Sequence, residues 1–154
     1  MTSPGAVFDR LQEGDELDGL TIGPITRTHI VRYAGASGDF NPLHHDDEYA
    51  RSLGNPSIFA MGMFPAGVLA TALTRWLGPG RVRRFSVRFR SQVWPGDRLT
   101  FGGIVERKAL QKGEGVIVCA LRVVNQAGED VITGEAEAVF PLSRGAAPRE
   151  ASSA

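Results

Sequence analysis

Cysteine is nearly absent from this sequence, since Cys119 is the only one among 154 residues. An intrachain disulfide is therefore impossible, and the zinc sites that need several cysteines are excluded. A lone cysteine in an apolar, strand-like segment is typical of a buried residue without chemistry. We therefore expect a protein of a reducing compartment.

Net charge and long apolar runs are also lacking. The 17 basic and 17 acidic side chains give a formal net charge of zero, which offers no electrostatic reason to expect nucleic acid or an anionic membrane as a partner. The longest apolar stretch, near Ile58 to Leu73, is interrupted by glycine, proline and threonine and is too short to span a bilayer. The first ten residues lack the basic and apolar segments of a signal peptide. We expect a soluble, cytoplasmic protein.

The length and composition suit one globular domain. Hydrophobic residues make up 42% of the chain and charged residues 22%, close to the average for such proteins. Residues 1–6 are small and polar, and residues 143–154 have no apolar periodicity, so both ends are predicted to be disordered. One folded domain is therefore predicted over residues 7–142.

The first half of the domain is predicted to be mostly helical. The pattern predicts a short strand over residues 20–25 and helices over about 29–34, 42–53 and 62–77. Thr26 or Thr28 can cap the first helix, which Gly35 and Gly38 are expected to break. Asn41-Pro42 reads as a cap and a first-turn proline for the second. The third helix is apolar on nearly all sides and so belongs inside the protein.

The second half is predicted to be antiparallel strands, over residues 84–90, 99–105, 116–124 and 131–140. Apolar and polar residues alternate strictly from Arg84 to Arg90, which is typical of a half-exposed strand. Glycine-containing segments at 111–115 and 125–129 supply hairpin connections. One long apolar helix beside successive strands predicts an α+β domain whose sheet wraps around that helix.

Asp39 and His44 stand five residues apart across a turn that is framed by Gly38 and Pro42. A carboxylate and an imidazole held in this way could share one water, which is the minimum for general acid–base catalysis. The imidazole is the natural proton acceptor near neutral pH. In the alternative interpretation, Asp39 and Asn41 are turn and cap residues and His44 is a partly exposed helical histidine. The spacing alone leaves both interpretations open.

A longer pattern surrounds this pair. Ser37-Gly38-Asp39, Asn41-Pro42, Leu43-His44 and Ala50 occur in order within Tyr33 to Ala50. This stretch resembles the hydratase motif of the MaoC-like family, whose members include (R)-specific enoyl-CoA hydratases and 3-hydroxyacyl-carrier-protein dehydratases. Ala36 is a mild departure, since a larger aliphatic residue or glycine is more usual there. The resemblance covers roughly residues 8–141 and implies a hot-dog fold, in which a curved antiparallel sheet wraps around a long central helix.

The resemblance also implies the roles of individual residues. Asp39 and His44 become the catalytic dyad, and Asn41 becomes a positioning residue. The backbone N–H of Gly62, at the start of the central helix, is expected to bind the thioester carbonyl oxygen, and a helix N-terminus does offer unpaired donors. The implied activity interconverts trans-2-enoyl and (R)-3-hydroxyacyl thioesters of CoA or acyl carrier protein, as in fatty acid metabolism, without a cofactor.

Substrate contacts are predicted from two groups of residues. Met61, Met63 and Phe64 are candidates near the central helix, with core packing as the alternative for their side chains. Many relatives have histidine where this chain has Met61, which is a departure from the pattern. Arg84 and Arg88 belong to an arginine-rich strand that would suit coenzyme A phosphates or an acidic carrier protein. The alternative is that these arginines form the solvent face of the strand.

Metal binding is not expected, although His44-His45-Asp46-Asp47 brings four candidate ligands together in the sequence. Adjacent residues of a helix point about 100° apart, so these side chains do not converge on one ion.

An exposed sheet edge would favour a homodimer, or a heterodimer with another hot-dog subunit. Two other functions stay open. One is a non-catalytic or weakly active subunit of a heteromeric dehydratase, and the other is an acyl thioesterase of the same fold.

Overall fold

The computed structural model describes residues 4–142 of the chain, with five strands and four α-helices. The elements are α1 (Pro4–Arg10), β1 (Glu16–Ile22), α2 (Arg27–Ser37), a 3-10 helix (Pro42–His44), α3 (Asp47–Ser52), α4 (Met63–Leu77), β2 (Val82–Phe89), β3 (Leu99–Gln111), β4 (Glu114–Val124) and β5 (Asp130–Pro141). The four later strands and the long helix were all predicted from the sequence.

The five strands form one antiparallel sheet in the order β1-β3-β4-β5-β2. Helix α4 packs against β1, β2, β3 and β5. Its buried face includes Leu69, Leu73 and Leu77, and it meets sheet residues such as Phe101 and Ile117 in one hydrophobic core. This confirms the predicted α+β architecture of a sheet wrapped around a central helix.

The predicted disorder of residues 1–6 is wrong for residues 4–6, which begin α1. Phe8 explains the helix, because its side chain is buried and its ring lies 5.8 Å from that of Phe140. Burial of one aromatic side chain contributes about 2 kcal/mol, enough to hold a short helix on the sheet. Residues 1–3 and the predicted disordered tail, residues 143–154, lie outside the described residues.

Helix α2 is capped at Thr26, as the sequence predicts. The Thr26 hydroxyl accepts a hydrogen bond from the backbone N–H of His29, and the His29 ring accepts one from the N–H of Thr26. Gly35 does not break the helix, which continues to Ser37. Gly38, at φ +73°, ends it in the left-handed conformation that glycine adopts most readily.

The predicted helix over residues 42–53 is wrong, because two helices occupy that stretch. Asn41 caps a 3-10 helix that ends at His44, and Asp46 caps α3 by accepting hydrogen bonds from the N–H groups of Glu48 and Tyr49. The second cap restarts the helix and turns the chain at His45. His44 therefore closes a 3-10 turn.

The first strand lies earlier than predicted, at Glu16–Ile22 instead of residues 20–25. Gly23 and Pro24 follow its end, and the N–H of Ile25 donates to the carbonyl of Asp97, outside the β1–β3 pairing. β3 is longer than predicted, since it pairs with β4 as far as Gln111. Between residues 4 and 142, the structure contains no helix with the length and hydropathy needed to cross a membrane.

Candidate active site

A cleft of about 430 Å³ opens at the N-terminal end of α4. Its walls come from four parts of the chain, of which β5 contributes Val131. The turn before the 3-10 helix contributes Asp39, and that helix contributes His44. The start of α4 and the residues before it contribute positions 59–63 and 65, and the end of β2 with its following loop contributes positions 89–93. The structure thus brings the predicted dyad and the predicted oxyanion glycine to one cleft.

His44 is held in a defined orientation. The residue is only 8% exposed, and its Nδ1 lies 2.7 Å from the carbonyl oxygen of Phe59. A carbonyl can only accept, so Nδ1 donates to it. In the neutral ring, the lone pair then lies on Nε2. The ring of Phe59 also packs edge-on against the imidazole at 5.3 Å. Nε2 is therefore the basic atom of this side chain.

The carboxylate of Asp39 lies near Nε2 of His44. Its Oδ2 lies 3.8 Å from His44 Nε2, which is too far for a direct hydrogen bond. Its side chain is 46% exposed, and its Oδ1 accepts a hydrogen bond from the N–H of Asn41. Two polar atoms at this separation, both on the wall of one cleft, can hydrogen-bond to the same water molecule.

Asn41 and His45 brace the turn that carries Asp39. The Asn41 side chain accepts a hydrogen bond from the N–H of Leu43 at 3.0 Å, which caps the 3-10 helix. His45 Nε2 lies 3.1 Å from the carbonyl oxygen of Phe40. Neither residue lines the cleft. The geometry is consistent with the predicted positioning role of Asn41, which stays a prediction.

Gly62 occupies the N-cap position of α4, and two backbone N–H groups at this end of the helix are unpaired. The first four N–H groups of a helix lack partners within it. Here Pro65 has no N–H, and the N–H of Phe64 donates to the carbonyl of Met61. The N–H groups of Gly62 and Met63 have no acceptor among residues 4–142. Both residues line the cleft, so its wall offers two backbone donors at the positive end of a helix dipole.

Glycine at position 62 is explained by packing and not by backbone strain. Its φ of −57° suits any residue, but a Cβ there would lie 2.9 Å from the ring of Phe89. Phe89 is itself a wall of the cleft. A side chain at position 62 would therefore push Phe89 and reshape the site.

Of the three predicted substrate contacts near α4, two line the cleft and one does not. Met61 is buried and Met63 is 56% exposed, and both line the cleft. Phe64 is not part of the lining and packs against Tyr33, with the ring centroids 5.4 Å apart. Phe64 thus matches the core-packing alternative.

The two predicted arginines also lie away from the cleft lining. Arg84 pairs with Glu135 at 3.5 Å, and Arg88 stands opposite Thr133 of β5. Arg90, two residues further along, does line the cleft, and its Nε donates to the hydroxyl of Thr133 at 2.9 Å. Substrate binding by Arg84 and Arg88 remains a prediction.

The sequence did not predict the part of the cleft wall that residues 59–60 form with Val93. Ala60 forms a β-bridge with Val93, and its N–H donates to the Val93 carbonyl at 2.8 Å. The ring of Phe59 packs against Trp94 at 5.6 Å. The buried carboxylate of Asp97 accepts from the Trp94 N–H at 2.8 Å and so fixes the turn after this wall. The sequence Pro95-Gly96-Asp97 is itself typical of a turn.

Cys119 does not line the cleft. Cys119 is fully buried, and burial raises the pKa of its thiol to about 11, so it stays protonated at neutral pH. Within the part of the chain that the structure describes, no three histidine, cysteine or acidic side chains could hold a metal ion.

Comparisons with known proteins identify the family of this chain. A family model for the MaoC like domain matches residues 12–127. The chain is 31% identical to an (R)-specific enoyl-CoA hydratase of Rhodospirillum rubrum over 140 residues, which is 87% of this chain and 91% of that protein. It is also 36% identical over 110 residues to a fatty acid synthase β subunit of Aspergillus oryzae, covering 68% of this chain but 5% of that much longer protein.

Solved structures show the same fold. The R-hydratase PhaJ1 of Pseudomonas aeruginosa superposes with a TM-score of 0.76 at 32% identity, covering 87% of this chain and 84% of that one. A chain of the ChsH1–ChsH2 complex of Mycobacterium tuberculosis superposes with a TM-score of 0.72 at 28% identity, covering 84% and 98%. These neighbours confirm the predicted hot-dog fold.

Proposed function

The chain belongs to the MaoC-like hydratase and dehydratase family, and we propose that it interconverts trans-2-enoyl and (R)-3-hydroxyacyl thioesters of CoA or acyl carrier protein. One observation carries the proposal. His44 Nε2 and Asp39 Oδ2 lie 3.8 Å apart on the wall of a cleft that also holds the unpaired N–H groups of Gly62 and Met63. The site thus combines acid–base groups with donors for a developing oxyanion.

In this reaction the backbone donors act on the thioester. Hydrogen bonds from Gly62 and Met63 to the carbonyl oxygen withdraw electrons from the conjugated double bond and stabilise the enolate that forms as water adds. Because these donors belong to a helix end, they need no reorganisation as charge develops. The apolar side chains of Met61, Met63 and Phe89 would line the path of the acyl chain.

Asp39 and His44 act on the water. A water molecule that is hydrogen-bonded to both side chains loses one proton to this pair as its oxygen bonds to the β-carbon of the substrate. The α-carbon then takes one proton from the pair, so that water has been added across the double bond. Dehydration runs the same steps in reverse.

A direct assay separates this function from a hot-dog thioesterase. Purified protein is expected to remove the enoyl absorbance of crotonyl-CoA or a longer trans-2-enoyl-CoA without releasing free thiol. Release of thiol with no loss of the double bond would instead support a thioesterase. Absence of both reactions would support a subunit that needs a partner, the alternative that Met61 in place of histidine keeps open.

Arg90 is the arginine best placed to contact the phosphates of coenzyme A. Thr133 fixes its Nε, which leaves the terminal nitrogens of the guanidinium as donors beside the cleft. We expect Arg90→Ala to raise the KM for enoyl-CoA about tenfold, with kcat changed less than about twofold. The same substitution at Arg84 and at Arg88, which lie outside the cleft lining, is expected to have smaller effects.

A truncated thioester provides the control for this prediction. The N-acetylcysteamine thioester of the same acyl group has no phosphates, so Arg90→Ala should leave its KM unchanged. An equal rise in KM for both thioesters would contradict a phosphate contact, and so would no rise for enoyl-CoA.

We propose further that two copies of the chain form a homodimer along β2. This strand is one edge of the sheet. At its end Phe89 is 52% exposed, and Met63 beside the same cleft is 56% exposed. A second copy would cover both the strand edge and these apolar side chains.

Sedimentation equilibrium tests this assembly. At micromolar concentration we expect twice the mass of one chain, with Phe89→Lys shifting the mass toward that of the monomer. A wild-type monomer would contradict the homodimer and would favour a heterodimer with another hot-dog subunit.

A further inference from the structure

Asp47, outside the recognised motif residues, joins three separate segments. At the first position of α3, its carboxylate accepts hydrogen bonds from Arg27 Nη2 at 2.7 Å, from the Ser57 hydroxyl at 3.0 Å and from the backbone N–H of Ile58 at 3.1 Å. Arg27 also donates to the Ser57 hydroxyl at 3.2 Å. The carboxylate therefore ties the start of α2 and the start of α3 to the chain just before the cleft.

The charge of Asp47 is fixed across the neutral pH range. The hydrogen bond from Arg27, followed by that from the Ile58 N–H, lowers the pKa of this carboxyl to about 2. The group therefore remains an ionised acceptor wherever activity would be measured. Charge-assisted hydrogen bonds of this kind are stronger than neutral ones.

The segment that Asp47 holds ends at the partner of His44. Phe59 follows Ile58 directly, and its carbonyl oxygen accepts the hydrogen bond from His44 Nδ1. On the other side of Phe59, the N–H of Ala60 is fixed by the Val93 carbonyl. The residues on both sides of Phe59 are thus held, Ile58 by the Asp47 carboxylate and Ala60 by the β-bridge, and the Phe59 N–H itself donates to the carbonyl of Leu43 at 3.4 Å.

We propose that Asp47 is a positioning residue, which keeps the proton of His44 on Nδ1 by fixing the segment that presents the Phe59 carbonyl. The nitrogen that carries the proton in a neutral histidine is set by the hydrogen bonds of the ring. If segment 57–59 shifts, Nδ1 loses its acceptor, and the proton can move to Nε2. The lone pair that faces Asp39 is then lost. This role rests on the proposed hydratase function, although the tautomer itself can be observed without substrate.

The test is nitrogen-15 NMR of the histidine rings in wild-type protein and in Asp47→Ala. In the wild-type protein, the His44 signals should show a protonated Nδ1 and an unprotonated Nε2. In Asp47→Ala we expect a substantial share of the Nε2–H tautomer, with kcat for hydration lowered roughly 10- to 100-fold and KM changed less than about twofold.

Matched variants separate positioning from a general effect on α3. Asp46→Asn removes a charge from the same helix end but keeps the cap, and it should leave both the tautomer and kcat unchanged. Asp47→Asn keeps an oxygen for the Ile58 N–H and should fall between wild type and Asp47→Ala. Ser57→Ala removes one bond from the segment side and should shift the tautomer in the same direction by less, which provides a second test if Asp47→Ala fails to fold.

A His44 ring that keeps its proton on Nδ1 in folded Asp47→Ala, with kcat unchanged, would overturn the proposal. So would a fall in kcat of equal size in Asp46→Asn. If the tautomer shifts but the wild-type protein hydrates no enoyl thioester, the positioning of His44 stands and the proposed function fails.

Discussion

Replacing Asp39 with asparagine is expected to lower the kcat for enoyl-CoA hydration by about 10²- to 10⁴-fold, the range for loss of a general acid or base. The amide has nearly the same shape and can still accept from the N–H of Asn41, but it cannot take up a proton at neutral pH. Because the side chain is half exposed, the thermal unfolding midpoint should not change. Enoyl absorbance measures the first effect and circular dichroism the second.

His44→Ala should produce a loss of similar size, and the double variant should be little worse than either single one. Two groups that hold one water act as a unit, so their effects do not add. Asp46→Asn is the matched control, because it makes the same substitution outside the cleft. Near-normal turnover in either folded variant would remove that residue from the mechanism.

The second large effect is expected at Gly62, where the backbone N–H and the missing side chain have separate roles. Gly62→Ala keeps the N–H but places a Cβ against the ring of Phe89. We therefore expect reduced hydration in Gly62→Ala and recovery when Phe89→Ala provides room. Measured against Phe89→Ala alone, the double variant should retain most of the kcat.

Gly62→Pro in the same Phe89→Ala background isolates the donor. The φ of −57° at position 62 suits proline, which has no N–H. Loss of one oxyanion donor costs about 10²- to 10³-fold in kcat, and a fall of at least about 100-fold is expected here. Equal activity of the folded alanine and proline variants would show that the Gly62 N–H does not bind the carbonyl oxygen.

Local signals explain why much of the fold was predictable. Thr26 caps α2 through bonds to a residue three positions away, and the strict alternation from Arg84 to Arg90 marks β2. The motif placed Asp39 and His44 together because only a short turn separates them. Each of these features depends on residues that are close together in the sequence.

The parts of the fold and the site that were not predicted depend on contacts between residues far apart in the sequence, which no local pattern indicates. Phe59 lies 15 residues after His44 yet orients it through a backbone carbonyl, which any amino acid provides. Val93 reaches the site only through a bridge to Ala60. The predicted helix over 42–53 failed because the cap at Asp46 overrides a continuous helical pattern. Phe8 likewise orders α1 through distant partners in the sheet.

The most direct test of the central claim is the product formed from trans-2-enoyl-CoA in deuterated water. The mechanism predicts (R)-3-hydroxyacyl-CoA that carries one deuterium at the α-carbon, with the thioester intact, and product formation by Asp39→Asn that is at least about 100-fold slower. Mass spectrometry and chiral chromatography measure both features. An (S) product would contradict the proposed stereochemistry, and formation of (R) product at an undiminished rate by Asp39→Asn would contradict the assignment of the catalytic pair.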